Sequence, residues 1–520
     1  MNLNLLSIPI IRAEIAGELR RLTLPETLAA LMRDEIAAFP ALRPHQRHAW
    51  HMFLAQLCAI ALHRAGEREI PREAGDWTEL LRELTDGAEE PWSLVVADLS
   101  KPAFLQPPVP EGNLAALKNT IPTPDALDVL ITAKNFDLKS AVAADAELDD
   151  WLFALVSLQT MEGFLGAGNY GVARMNGGFS ARPFLGLAPL ESGMGAHLHR
   201  DIRVMLAGRD ALLRDYDGLY DEEGIALLWL EPWNGTAGLP LTRLDPWFIE
   251  ICRRIRFIPE GEGFRVIGGG SAAARIDAKA QNGVTGDFWA PVNDAEAKAF
   301  SLDGRGFSYR VLCRLLFGEG SKRLFRLPPA MIAQSGETDM MLVARGVTRG
   351  QGKTEGLHER AVPVHRGLLR ATIDEEARET LGQIADRQQR EIAQISGALR
   401  LACAVIAKGG AAEKPGKDDY ALAEPYTRRL ETEAEAGFFE TLERRMIEDE
   451  AAKAGYLRNL ILNAQTLLAE ACEAIPCAVQ ARWRARVRAP AIFRGALWGP
   501  KSALTNDRDL IFPKKEAADA

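Results

Sequence analysis

Two short stretches of this 520-residue chain place residues at spacings that could hold a phosphate. Gly166, Gly168 and Gly171 in GAGNYG spell G-x-G-x-x-G, the turn that seats a pyrophosphate at a helix N-terminus. Gly352-Lys353-Thr354, at the end of ARGVTRGQGKTEG, resembles the close of a P-loop. Neither sits in the setting its chemistry needs. Gly177, Gly178 and Pro183 interrupt any helix that would start at Gly171. Glu191 stands about where a ribose-binding acid would, but no βαβ unit surrounds it. In the second stretch the first P-loop glycine falls at Val347, with Gly346 one residue too far, and Pro363 cuts short the helix that should follow. The alternative of a nucleotide-dependent enzyme rests on these two loops alone.

Other reactive groups are sparse. His45, His48 and His51 share part of a helix face at i, i+3 and i+6, and His197 and His199 lie two apart. A metal site would need an acid or a further ligand beside them, and none is local in sequence. Cys58, Cys252, Cys313, Cys403, Cys472 and Cys477 contain no C-x-x-C pair. There is no nucleophile elbow and no carboxylate pair. The reading is a protein without catalytic residues, bound metal or cofactor.

Glycines without a nucleotide serve another purpose: lacking a Cβ, they let backbone approach a surface closely. Against DNA such a loop fits the minor groove, whose hydrogen-bonding code is degenerate. Asn169 and Tyr170 add an amide and an aromatic suited to base edges and sugars. Gln351 stands between glycines and is flanked by Arg349 and Lys353, cations able to grip phosphates. A flat amide at such a tip could enter a base step. The plainer alternatives are a packed glycine turn and an exposed basic hairpin tip.

The elements that position these loops read as α+β. Helical periodicity marks Leu24–Glu35 and His45–Ala65, and glycine- and proline-rich loops cover Lys101–Asn113 and Gly163–Pro189. Short strand-like runs follow at Ile225–Leu230, Phe257–Ile267, Arg323–Leu327 and Met340–Val343. After Pro363 the texture is helical: Leu368–Lys408, Tyr426–Glu450, Ala451–Ala474 and Ala478–Val487 predict a four-helix bundle. The expected division is a mixed N-terminal domain over 1–362 and a bundle over 363–520. On the last helix Arg482 and Arg486 share one face, Arg484 and Arg488 another.

A net charge of −9, with 47% apolar and 26% charged residues, excludes a general basic coat and leaves only local patches for nucleic acid. No run reaches the ~18 apolar residues of a membrane span. Few cysteines suit a reducing compartment, and the expected location is the cytoplasm.

Taken in order, these pieces resemble the large subunit, CasA, of the type I-E CRISPR surveillance complex Cascade. The resemblance runs from Asn4-Leu5-Leu6 and Ile8-Pro9 through Phe104-Leu105-Gln106, the Gly166–Gly178 loop, Trp229, Pro232 and Trp233 to the Gln351 tip and the bundle. It implies a non-enzymatic subunit that checks double-stranded target DNA for a protospacer-adjacent motif and helps open it for pairing with guide RNA. It implies a minor-groove loop at Gly166, Gly168, Asn169 and Tyr170, a wedge at Gln351, and a loop near the guide's 5′ handle with Lys134, Asn135, Phe136 and Lys139. Arg275 and Lys279 are candidates for a further cationic contact, and the displaced strand is expected near Arg482 and Arg486. Implied partners are the backbone, handle-binding and small Cascade subunits, with a helicase–nuclease recruited in trans or a nuclease fused to another subunit. Three features depart from the family: Ser7 replaces an aromatic before Ile8-Pro9, IRFIPEGEGFRVIGGG replaces a cysteine cluster, and Asn169 and Tyr170 stand where further glycines occur in some members.

Overall fold

A computed structural model describes residues 3–128, 146–319, 322–350, 353–447 and 449–513. The chain divides into two compact units: Met1–Phe307 with Phe325–Val362, and Ser308–Leu324 with Pro363–Ala520.

The first unit is built on the helix Arg47–Ala65, which buries Trp50, Met52, Phe53, Leu54, Leu57, Cys58 and Ile60. A helix apolar on every side belongs in a core. It packs against Leu148–Met161 and Met194–Asp215. Around these helices lie small sheets of two or three strands. One pairs Phe184–Pro189 with Met340–Gly350, Leu187 facing Leu342, and continues to Lys353–Val364.

Several elements differ from the sequence reading. The run Phe257–Ile267 is a hairpin, Arg254–Glu260 with Gly263–Gly269, because Gly261 turns the chain at φ +58°. Phe184–Pro189, read as loop, is a buried strand. The 22-residue helix Met194–Asp215 shows no clean apolar stripe in the sequence, because its buried residues include Arg200, Asp201 and Arg209.

In the second unit the helices Glu375–Ala407, Glu424–Met446, Glu450–Ala474 and Arg482–Trp498 bury Leu381, Ile392, Ile395, Leu399, Phe438, Leu457 and Ile461 against one another. The expected continuous helix from Leu368 breaks at Asp374, whose carboxylate caps the long helix by accepting from the amides of Glu376 and Ala377. A further helix, Tyr309–Phe317, joins this unit from within the stretch assigned to the N-terminal domain. The Tyr309 ring stacks on Phe438 at 4.5 Å, and its hydroxyl donates to Glu431 at 2.8 Å.

Candidate nucleic-acid interface

The glycine loop begins where Leu148–Met161 ends. Buried Gln159 on that helix accepts from the amides of Cys252 and Arg253 at 3.1 and 2.9 Å. Arg253 in turn donates to the carbonyls of Gly163, at 3.1 Å, and Tyr170. The loop is thus held at both ends by one buried guanidinium. Within it, the Leu165 amide bonds Asn169 O and the Asn169 amide bonds Gly166 O. The glycines have separate duties. At Gly171 a Cβ would lie 2.6 Å from the Gly163 carbonyl carbon and 2.7 Å from the Phe164 nitrogen, so this glycine is required by close packing. Gly166 (φ +113°) has open space around it, and only its left-handed backbone favours glycine.

Gly168, read as backbone laid against DNA, already has a neighbour. Its carbonyl accepts from the Ser271 amide at 3.1 Å, and Gly270 packs on it. A second glycine-rich run, Gly268–Gly270, therefore backs the first. The Tyr170 hydroxyl donates to Ala272 O at 3.1 Å. Ala167 and Asn169 form the exposed part of the tip. The element directly before these glycines is the helix Leu148–Met161, and among the described residues no helix follows before Met194, so the nucleotide-turn geometry is not met.

The second loop also differs from a P-loop. Strand Met340–Gly350 is followed by another strand from Lys353, not by a helix. Residue Gln351, the expected wedge, lies outside the described residues, as do Lys134, Asn135, Phe136 and Lys139. Lys353 opens the returning strand.

Arg349 requires a correction. Read as an exposed phosphate grip, it is buried, with 3% of its side chain accessible, and pairs at 2.8 Å with Glu162, equally buried. The cause is that this strand is covered on both faces: Val347 shares the face of Arg349, and Thr348 on the opposite face is buried too. Arg349 donates as well to the carbonyl of Asp128 at 3.3 Å. Asp128 is itself fixed by His45 and Gln46 through its Oδ2 at 2.6 and 2.9 Å. Glu162 ends the helix before the glycine loop and its carbonyl accepts from the Val172 amide. One ion pair therefore joins the root of the glycine loop, the strand leading to Gln351 and the last described residue before 129–145. Burial raises the Glu162 carboxyl above its ordinary range, opposed by the charge of Arg349. A second backbone bond, Ala181 N to Val347 O at 3.0 Å, braces the same region.

Glu162 and Arg253 were missed in the sequence. The available signals were an acid closing the apolar run LFALVSLQTM and arginines interrupting the apolar strand ICRRIRF. Arg275, a candidate cation, is instead a structural group. It is buried, lies over the Trp233 ring, and donates to the carbonyls of Leu228, Glu231 and Pro232. Lys279 is exposed.

In the second unit, Arg482 donates to the Glu473 carbonyl at 3.0 Å and Arg486 pairs with the Glu473 carboxylate. Arg484 and Arg488 bond the carbonyls of Gly409 and Gly410. Trp483, unremarked in the sequence reading, is 70% exposed beside these arginines. An exposed indole between cations can stack a base.

Small sheets around one buried helix, glycine and hairpin loops with a shared root, and a separate helical unit define an architecture already known: the fold of the CasA proteins, also called Cse1. The chain is similar to Thermobifida fusca Cse1, at 16% identity and TM-score 0.66 over 98% of each chain. It is similar to Thermus thermophilus CasA, at 16% identity and TM-score 0.63 over 96% of this chain and 99% of that one. It is also similar to the CRISPR-associated protein Cse1 of Acidimicrobium ferrooxidans, at 15% identity and TM-score 0.60 over 96% and 98%. At these identities the likeness is one of fold. No family model matches the chain, and no curated protein sequence matches it. No helix among the described residues is long and apolar enough to cross a membrane.

Proposed function

We propose that this chain is the large subunit of a type I-E Cascade complex, working in the cytoplasm without catalysis of its own. It recognises a short motif in double-stranded DNA through the minor groove and promotes opening of the neighbouring duplex for guide RNA. The observation that carries the reading is the CasA fold, matched across 98% of this chain and of the Thermobifida protein. The Glu162–Arg349 pair supports it, since a motif reader and a wedge must be held in fixed register. In guide-based systems base pairing reads the sequence, while protein reads the motif and the backbone shape. A few exposed groups suffice, which suits a net charge of −9. The proposed partners are guide RNA, target DNA, the other Cascade subunits and a nuclease supplied by another protein.

Gln351 is the proposed wedge. Parting a duplex costs about 1.4 kcal/mol per base-pair step, which an inserted amide can offset at the first step. In the assembled complex, Gln351→Ala slows opening of a matched duplex while leaving binding of a matched single strand nearly unchanged. A fluorescent base analogue beside the motif measures the rate; equal rates for both proteins would overturn the reading.

Arg482, Arg486 and Trp483 are the proposed seat of displaced single strand. Replacing both arginines by Ala lowers the salt slope of DNA binding by about one per lost phosphate contact. An unchanged slope across a salt titration would remove this helix from the DNA path.

A further inference from the structure

Two histidine groups that are far apart in sequence meet in the core of the first unit. His51, on the helix Arg47–Ala65, and His197, on Met194–Asp215, bring their rings to 4.3 Å between centroids. Asp201 lies one turn beyond His197 and supplies the third ligand that the sequence reading did not find. Its Oδ2 stands 2.9 Å from His51 Nε2 and 3.7 Å from His197 Nε2. One ligand atom from each of the three residues falls within 4.8 Å of the others.

We propose that His51, His197 and Asp201 bind a divalent transition-metal ion, zinc by preference, clamping these two helices together. Bonds of about 2.0–2.2 Å to nitrogen and carboxylate oxygen, arranged tetrahedrally, place ligand atoms roughly 3.4 Å apart. The observed 2.9 and 3.7 Å bracket that spacing. Hydrogen bonding alone leaves the cluster unfinished. His197 Nε2 and Asp201 Oδ1 are buried and have no hydrogen-bond partner among the described residues, an arrangement that ordinarily costs stability. An ion between the three side chains takes up the His197 lone pair.

The surroundings suit the role. Trp289 Nε1 donates to Asp201 Oδ2 at 2.9 Å, the kind of outer support that orients a ligating carboxylate. The nearest cation, Arg200, lies 3.5 Å from Asp201 Oδ1, but its guanidinium is committed to Glu337 at 2.7 and 3.2 Å and to the carbonyls of Ala330 and Ile332. Arg345, also near enough to influence His197, pairs with Glu359 at 3.0 Å. The His51 and His197 side chains each keep 11% of their surface accessible, giving an ion a way in.

The test uses the full chain, stripped with EDTA, desalted and given zinc chloride. Zinc retained through gel filtration is measured together with the melting midpoint. Wild type retains about one ion per chain, and its midpoint rises by roughly 5 °C in a hundredfold excess over the dissociation constant. His197→Gln and Asp201→Asn lose both effects, whereas His199→Gln keeps them. Wild type that retains no zinc would overturn the proposal, whatever the variants do. Equal retention and an equal shift in folded His197→Gln would overturn it too, by placing the ion elsewhere.

Discussion

Replacing Arg349 by Ala destabilises the first unit by about 3–5 kcal/mol, because it strands a buried carboxylate. Both partners are 3% exposed, so water cannot take over solvation of Glu162. The loss depends on pH, and its sign follows from Glu162. Burial raises that carboxyl, and Arg349 is the first group holding it down. Without Arg349 the folded-state pKa climbs further. A carboxyl with a raised folded-state pKa favours folding below its unfolded pKa, and that contribution is lost as pH rises through the folded value. The variant's deficit is therefore smaller near pH 5 than near pH 8. Urea unfolding of wild type and variant at the two pH values measures it. A deficit under about 1 kcal/mol and flat with pH would show a pair no stronger than an exposed one. Glu162→Gln combined with Arg349→Ala recovers part of the loss, since a neutral amide is less costly to bury.

The second large effect concerns function. Gly171→Ala places a methyl 2.6 and 2.7 Å from backbone atoms of Gly163 and Phe164. Backbone on a pinned loop cannot yield as a flexible side chain would, and overpacking of this kind costs about 1–3 kcal/mol. The tip carrying Asn169 must then shift. In the assembled complex, binding of motif-bearing duplex falls about tenfold or more, equivalent to ~1.4 kcal/mol. Binding of matched single strand, which needs no motif reading, stays within about twofold. Gly166→Ala meets no neighbour and loses only what its left-handed backbone costs a side chain, about 1–2 kcal/mol. An equal loss on duplex and single strand for Gly171→Ala would mean that the glycine loop is a packing device and not a reader.

These two cases show where the sequence was legible. The bundle was readable because helical spacing is local: of Leu381, Ile384, Ile392, Ile395 and Leu399, which keep that spacing, all but the half-buried Ile384 are buried. The break at Asp374 was less plain, since a capping aspartate looks like any polar residue on a helix. The glycine stretch announced itself, yet the division of labour between Gly166 and Gly171 depends on what lies across the loop, which no spacing reveals. Arg349 was read as a phosphate grip, and in the fold it pairs with buried Glu162. Its charge suggested phosphate, but Glu162 reaches it only through the fold. His51 and His197 differ from that case: Asp201 stands one helical turn past His197 and was there to be read, whereas His51 reaches it only through the fold.

The helix Tyr309–Phe317 has a consequence for how the protein is made. It belongs with helices encoded after Pro363, while the strands after Phe325 return to the first unit. At ~5–20 residues per second, Tyr309 leaves the ribosome well before Phe438, on which it stacks. During that interval its apolar face, with Leu312 and Leu316, waits without its lasting cover while the chain on either side folds into another body. The two units are thus interleaved in time as well as in sequence. A gene divided at residue 362 would leave one product carrying an orphaned helix and the other a bundle with an open flank.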